Sequence, residues 1–149
     1  MKKVIIMVGI PGSGKSTHAE SYSTIFDMGR LGEVSTAIVS ADNFFINPAN
    51  GHYVFDRSRL HMAHLTCQND FALHLHNGVN VVIVDNTNTV ARDRKYYIEL
   101  AKAQGYEVYL DVVECDPKVA TARNTHGVPL EVVERMAKQI DTPFGFYQV

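Results

Sequence analysis

The chain alternates short, strongly apolar runs with longer segments whose apolar residues recur at helical spacing. Val4 to Val8 is a continuous β-prone run that stops at a glycine-rich stretch, the pattern of a strand buried on both faces. Ser16 to about Met28 lacks Pro and Gly and reads as a helix, closed by Gly29 and Gly32. Val34 to Ser40 reads as a second strand. Asp42 to Asp56 is crowded with turn formers (Asn43, Asn47, Pro48, Asn50, Gly51) and reads as a loop. Its aromatics Phe44, Phe45 and Tyr53 imply that it packs against something. Asp56 is placed to cap a long helix running to Asn77, with Gly78 just past its end. Leu60, Cys67, Phe71 and Leu75 mark the buried side of that helix.

Val79 to Val84 forms a third buried strand ending in Asp85. Asn88 or Thr89 starts another helix that Gly105 stops, and Tyr106 to Glu114 is a fourth strand. Asp116 and Pro117 pair a capping carboxylate with a proline at the first helical position. Gly127 breaks that helix, and Pro129 opens a last one reaching about Ile140. Thr142 to Val149 is short and aromatic, and only Phe144 to Val149 offers a fifth strand. Strands alternating with helices imply right-handed βαβ units and a mostly parallel sheet. The expectation is one α/β domain spanning residues 1–149.

Composition narrows the function classes. With 46% hydrophobic and 20% charged residues over 149 positions, disorder and a disulfide scaffold are excluded. Fourteen basic against sixteen acidic residues give a formal net charge of −2. A protein gripping long duplex nucleic acid carries a basic excess, so any nucleic acid is met at an end or over a few nucleotides. Cys67 and Cys115 lack metal-ligand spacing. The first apolar run is only five residues, and no stretch reaches the roughly 20 apolar residues of a membrane span. A soluble cytoplasmic protein with no membrane partner is expected, and no protein partner is deducible.

The stretch from Gly9 to Ser16 (GIPGSGKS) matches G-x-x-x-x-G-K-[ST] at every fixed position, between a strand and a helix. Glycines let successive N–H groups converge on phosphate oxygens, and the following helix points its positive end at them. Lys15 is expected to reach the β- and γ-phosphates and Ser16 to ligate Mg²⁺. The ATP-binding set is Gly9, Pro11, Gly12, Ser13, Gly14, Lys15, Ser16 and Thr17, with Arg123 from a later segment.

Three further groups carry candidate chemistry. Asp85, at a strand end, either steadies Mg²⁺ or caps the next helix. Asp42 follows the second strand, and its alternatives are a general base for an acceptor hydroxyl or an Asx turn. Arg123 precedes the Gly127 break, either as a clamp on the transferring phosphoryl group or as a surface residue favourable to the helix dipole. Five of the seven histidines fall between His52 and His76, without a completed ligand set, and read as a solvated helix face.

In order, the glycine loop, Asp42, the string Val84 to Asn88 (VDNTN), Arg94 and Arg123 to Pro129 (RNTHGVP) resemble P-loop polynucleotide kinases of bacteriophage and animals. The resemblance runs from about Lys3 to Ile140. It implies a three-layer P-loop NTPase fold with a four-stranded sheet of order 2-3-1-4 and a small lid at about residues 123–129. It implies a phosphotransferase with an alcohol acceptor, moving the γ-phosphate of ATP to a polynucleotide 5′-hydroxyl end. Lys15, Asp42 and Arg123 would be catalytic, and Ser16 and Asp85 would hold Mg²⁺. Asp42, Thr87, Asn88 and Arg94 would face the acceptor. The chain departs from the family pattern at Ala41, at Phe44 and Phe45, and at His126, where relatives carry arginines. A small-molecule kinase for a nucleoside, sugar or antibiotic stays open, as does a regulatory module that binds or hydrolyses ATP.

Overall fold

In the computed structural model, which describes residues 1–27 and 34–149, five strands and five α-helices alternate along the chain. Strand β1 (Lys3–Val8) leads through the glycine loop into α1 (Lys15–Asp27), and β2 (Thr36–Val39) follows. Met28, Gly29 and Gly32, expected at the end of the first helix, lie outside the described residues. One 3₁₀ turn, Ala41–Phe45, and a second, Arg57–Arg59, precede α2 (Leu60–His76). Then come β3 (Val81–Asp85), α3 (Ala91–Ala103), β4 (Glu107–Val112), α4 (Pro117–Arg123), α5 (Leu130–Gln139) and β5 (Gly145–Gln148).

The sheet order is β2-β3-β1-β4-β5. The first four strands are parallel, as expected, and β5 adds antiparallel to β4, with Leu110 opposite Tyr147. The sheet therefore has five strands rather than four. Only pairing with the edge of β4 makes a strand of the ambiguous aromatic tail. All four parallel strands deliver their carboxyl ends to one rim, where ligands of open α/β sheets bind.

Burial follows the pleat. Val4, Ile6 and Val8 of β1 pack toward a core closed by Ala63, Cys67, Phe71 and Leu75 of α2 and Tyr97 and Ala101 of α3. Ile5 and Met7 pack on the other face with Ala19 of α1. The four α2 residues recur every fourth position, which keeps one stripe inward. Leu60, expected on that stripe, is 37% exposed. Asp56 caps the 3₁₀ turn and not the helix, its carboxylate accepting from the Ser58 N–H at 3.0 Å. Leu60 is thus the first residue of α2, beyond the reach of the sheet. A third apolar cluster, Ile10, Ala120 and Val133, ties the glycine loop to α4 and α5.

Candidate active site

The glycine loop is built by where its backbone is anchored. Gly9 N–H donates to the Thr87 carbonyl at 3.0 Å, so the loop begins against the turn after β3. Gly12 and Gly14 have φ of +83° and +94°, a region that side-chain-bearing residues avoid. A Cβ on Gly12 would lie 2.0 Å from the Ala120 carbonyl oxygen, so α4 rests directly on the loop. A Cβ on Gly14 would meet nothing within 4 Å. Lys15 opens α1 half-buried, with Ser16 and Thr17 exposed in its first turn; Pro11 is half-buried and Ser13 buried. The loop thus carries a lysine, two exposed hydroxyls (Ser16 and Thr17) and a helix N-terminus at one rim, a chemistry suited to a polyphosphate.

Asp85 ends β3, across from Met7 in the register. Its Oδ1 is buried with no hydrogen-bond partner. Burial pushes its carboxyl above the ordinary value, the Lys15 ammonium and Ser16 hydroxyl pull it back, and Asp42 and Glu20 add to the rise. A buried acceptor without a donor costs about 1–3 kcal/mol. An orphaned carboxylate oxygen beside a serine hydroxyl is a hard-oxygen pair that suits Mg²⁺. The residues present therefore fit the ion.

Asp42 sits in the 3₁₀ turn, whose first N–H bonds are closed by Ser40: its Oγ accepts from Asp42 N at 3.2 Å. The expected loop is therefore locally helical. Asn86 fixes this turn to the end of β3, its Oδ1 accepting from Ala41 N at 2.8 Å and its Nδ2 donating to Cys67 Sγ at 3.5 Å. The Asp42 side chain is half-exposed. Tyr53 Oη donates to its Oδ1 at 3.3 Å, and His126 Nδ1 lies 3.6 Å from its Oδ2. The Tyr53 and His126 rings stack at 4.1 Å and 11°. Burial, and then the adjacent Asp42 carboxylate, push the Tyr53 phenol up to about 12, so it stays a donor. The sequence pointed to Asp42 but offered no local signal for Asn86, or for Tyr53 as its partner.

Two acceptor candidates turn inward. Asn88 is buried at φ +48°, its Nδ2 donating to Met7 O at 2.9 Å. Arg94 is 5% exposed, donating to the carbonyls of Asn88 (2.8 Å) and Thr89 (3.2 Å) and to Asp141 Oδ1 (2.7 Å). Both brace the turn after β3 from beneath and do not present their donors to the cleft. Thr87 is half-buried and contributes its carbonyl to Gly9. Arg123, the last residue of α4, is exposed and makes no ion pair among the described residues. It stands one turn beyond Ala120, the residue that touches Gly12, and so near the glycine loop. The aromatics of the Asp42 segment are mostly covered. Phe45 is buried, Phe44 lies under the Arg59 guanidinium at 4.7 Å, and the half-exposed ring is Phe55.

The AAA domain family matches residues 4–143. Human NEDD4-binding protein 2 is 32% identical over 137 residues, covering 89% of this chain; the chain spans 7% of that relative's length. Among solved structures, a chain of the Pnkp1/Rnl/Hen1 RNA repair complex superposes with a TM-score of 0.72 at 18% identity, over 99% of this chain and 48% of that one. The APS kinase CysC of Mycobacterium tuberculosis, in complex with AMPPNP and APS, gives 0.58 at 19% identity, over 96% and 82%. Both likenesses establish a P-loop kinase fold.

Proposed function

Because the chain belongs to the AAA domain family and has a P-loop kinase fold, we propose that it transfers the γ-phosphate of ATP to the 5′-hydroxyl end of a short or single-stranded polynucleotide. The observation that carries this reading is the half-exposed Asp42 carboxylate at the same rim as the glycine loop, close enough to Asp85 to raise its pKa. Tyr53 donates to that carboxylate and Asn86 anchors the turn that carries it, an arrangement that suits a base for an acceptor hydroxyl.

The loop N–H groups and Lys15 would hold the phosphates of ATP, and Ser16 and Asp85 would hold Mg²⁺. The ion, when bound, neutralises charge on the β- and γ-phosphates. Asp42 Oδ2 takes the proton of the acceptor hydroxyl as its oxygen bonds to the γ-phosphorus. The bond from that phosphorus to the β,γ-bridging oxygen breaks and ADP leaves; the proton on Asp42 then passes to water. Arg123, on the nucleotide side, would stabilise the charge that develops on the transferring group.

A small-molecule acceptor is the second reading. It is favoured by a net charge of −2 and by the partner of Asp42, a histidine rather than an arginine. The likeness to a kinase whose structure holds APS points the same way. γ-Labelled ATP with Mg²⁺ and a panel of 5′-hydroxyl DNA and RNA oligonucleotides, nucleosides, nucleoside 3′-monophosphates and no acceptor separates the readings. Label on an oligonucleotide end, lost in Lys15→Ala, supports the proposal. Label only on a small acceptor replaces it with the second reading, and free phosphate alone rejects both.

A further inference from the structure

Arg123 and His126 lie three positions apart in the segment that joins α4 to α5, yet they stand against different sides of the cleft. Arg123 follows Ala120, whose carbonyl abuts the glycine loop. His126 is carried away from that loop and over the acceptor side. Its N–H is fixed by Asn124 Oδ1 at 2.8 Å, and Gly127 at φ +71° turns the chain back toward α5.

We propose that His126, stacked on Tyr53, is the lid's acceptor-selecting residue: it closes over Asp42 and positions it, and does not clamp the nucleotide phosphates. This inference rests on the kinase reading above. Tyr53 donates to Oδ1 of Asp42, and no donor among the described residues lies within hydrogen-bond distance of Oδ2, which makes Oδ2 the freer atom to receive a proton. The 3.6 Å from His126 Nδ1 to Oδ2 exceeds the 2.7–3.2 Å of a nitrogen–oxygen hydrogen bond. Oδ2 therefore keeps its capacity for an acceptor hydroxyl while the imidazole forms a wall beside it. The parallel stack fixes the plane of that wall. An acceptor must bring its hydroxyl to Oδ2 along the Tyr53–His126 edge, so the pair limits what groups can flank that hydroxyl.

The test is steady-state kinetics of His126→Ala, His126→Phe and Arg123→Ala with ATP and the best acceptor of the panel. His126 is exposed on the lid, so thermal unfolding of the variants should match the wild type. His126→Ala should raise the acceptor KM about 10-fold and leave the ATP KM unchanged. His126→Phe keeps a ring on Tyr53 but lacks Nδ1, and should recover most of the acceptor KM, because the stacked ring and not Nδ1 forms the wall. Arg123→Ala should show the opposite split, with the ATP KM raised. A raised ATP KM in His126→Ala with the acceptor KM unchanged would make His126 a phosphate clamp and overturn the inference. A lowered acceptor KM would also overturn it, making His126 a plug. If the wild type labels acceptors and the His126 variants match it, this inference alone fails. If the wild type labels nothing, the kinase reading fails and takes it along.

Discussion

Alanine at Gly12 and at Gly14 imposes nearly the same backbone strain in two places with different neighbours. Both residues hold φ near +90°, at +83° and +94°, where a residue with a Cβ costs about 1–3 kcal/mol. That term is common to both and cancels in the comparison. At Gly12 the new methyl would stand 2.0 Å from the Ala120 carbonyl oxygen, and backbone, unlike a side chain, cannot swing aside. Relief requires α4 to move off the loop, opening the Ile10–Ala120–Val133 cluster. Overpacking of this kind adds about 1–3 kcal/mol. At roughly 3 °C per kcal/mol for a chain of this size, Gly12→Ala should melt about 3–9 °C below Gly14→Ala.

Nucleotide binding should rank the two differently. The methyl of Gly14→Ala meets no protein atom, and fills space at the phosphate-binding loop. That variant should therefore lose ATP affinity with only the strain cost in stability. Circular-dichroism melts paired with calorimetric titration of ATP read both quantities on the same samples. Equal melting temperatures for the two variants would refute the close approach of α4 to the loop. Undiminished ATP affinity in Gly14→Ala would refute the assignment of that space to phosphate.

Asp42→Asn should leave ATP binding intact and slow phosphoryl transfer about 10²–10⁴-fold, measured in single turnover; full activity would remove Asp42 from the base role. Asp85→Asn removes a buried charge whose Oδ1 has no donor, so the variant without nucleotide should melt no lower than wild type. The extra stabilisation that Mg²⁺ adds to the ATP complex should vanish in the same melts. Asp141→Asn tests the brace under the turn after β3. Hydrogen bonds from Arg94 first, and from Ala91 N–H, hold the Asp141 carboxyl below its ordinary 3.8. A carboxylate depressed on folding contributes stability above 3.8 that is lost as pH falls through its lower folded value. The variant should thus melt lower at pH 7 and show a flatter decline below about pH 4. Because the carboxylate is 42% exposed, solvent screening reduces the neutral-pH loss to about 1–2 kcal/mol. An unchanged acid limb would show that the pair contributes nothing.

Local order was legible in the chain because its causes are local. The apolar run of β1, its stop at Gly9 and the spacing of glycines before Lys15 are all statements about neighbouring residues. The buried strand ending in Asp85 and the four-residue stripe of α2 are of the same kind. Hydrophobic period and steric need at a turn act within a few positions, so they leave a trace within a few positions. Asp42 was expected just after the second strand, and it stands in the 3₁₀ turn Ala41–Phe45 that follows β2.

Tertiary structure decided the polar partnerships, since a hydrogen bond between distant residues leaves no periodic mark on either. Asp42 meets His126 across 84 positions of sequence, and Asn86 reaches back 45 positions to Ala41 N. Arg94 was expected to face an acceptor, yet it is buried because Asp141, 47 positions away, and two turn carbonyls satisfy it there. The same carboxylate accepts from Ala91 N–H, capping α3 where Val90 provides no side-chain cap. Asn88 looked like an acceptor ligand until the fold brought Met7 O to its amide. The tail becomes β5 only where β4 presents an open edge. In each case the determining energy is the satisfaction of a buried or edge polar group, and its partner is chosen by packing.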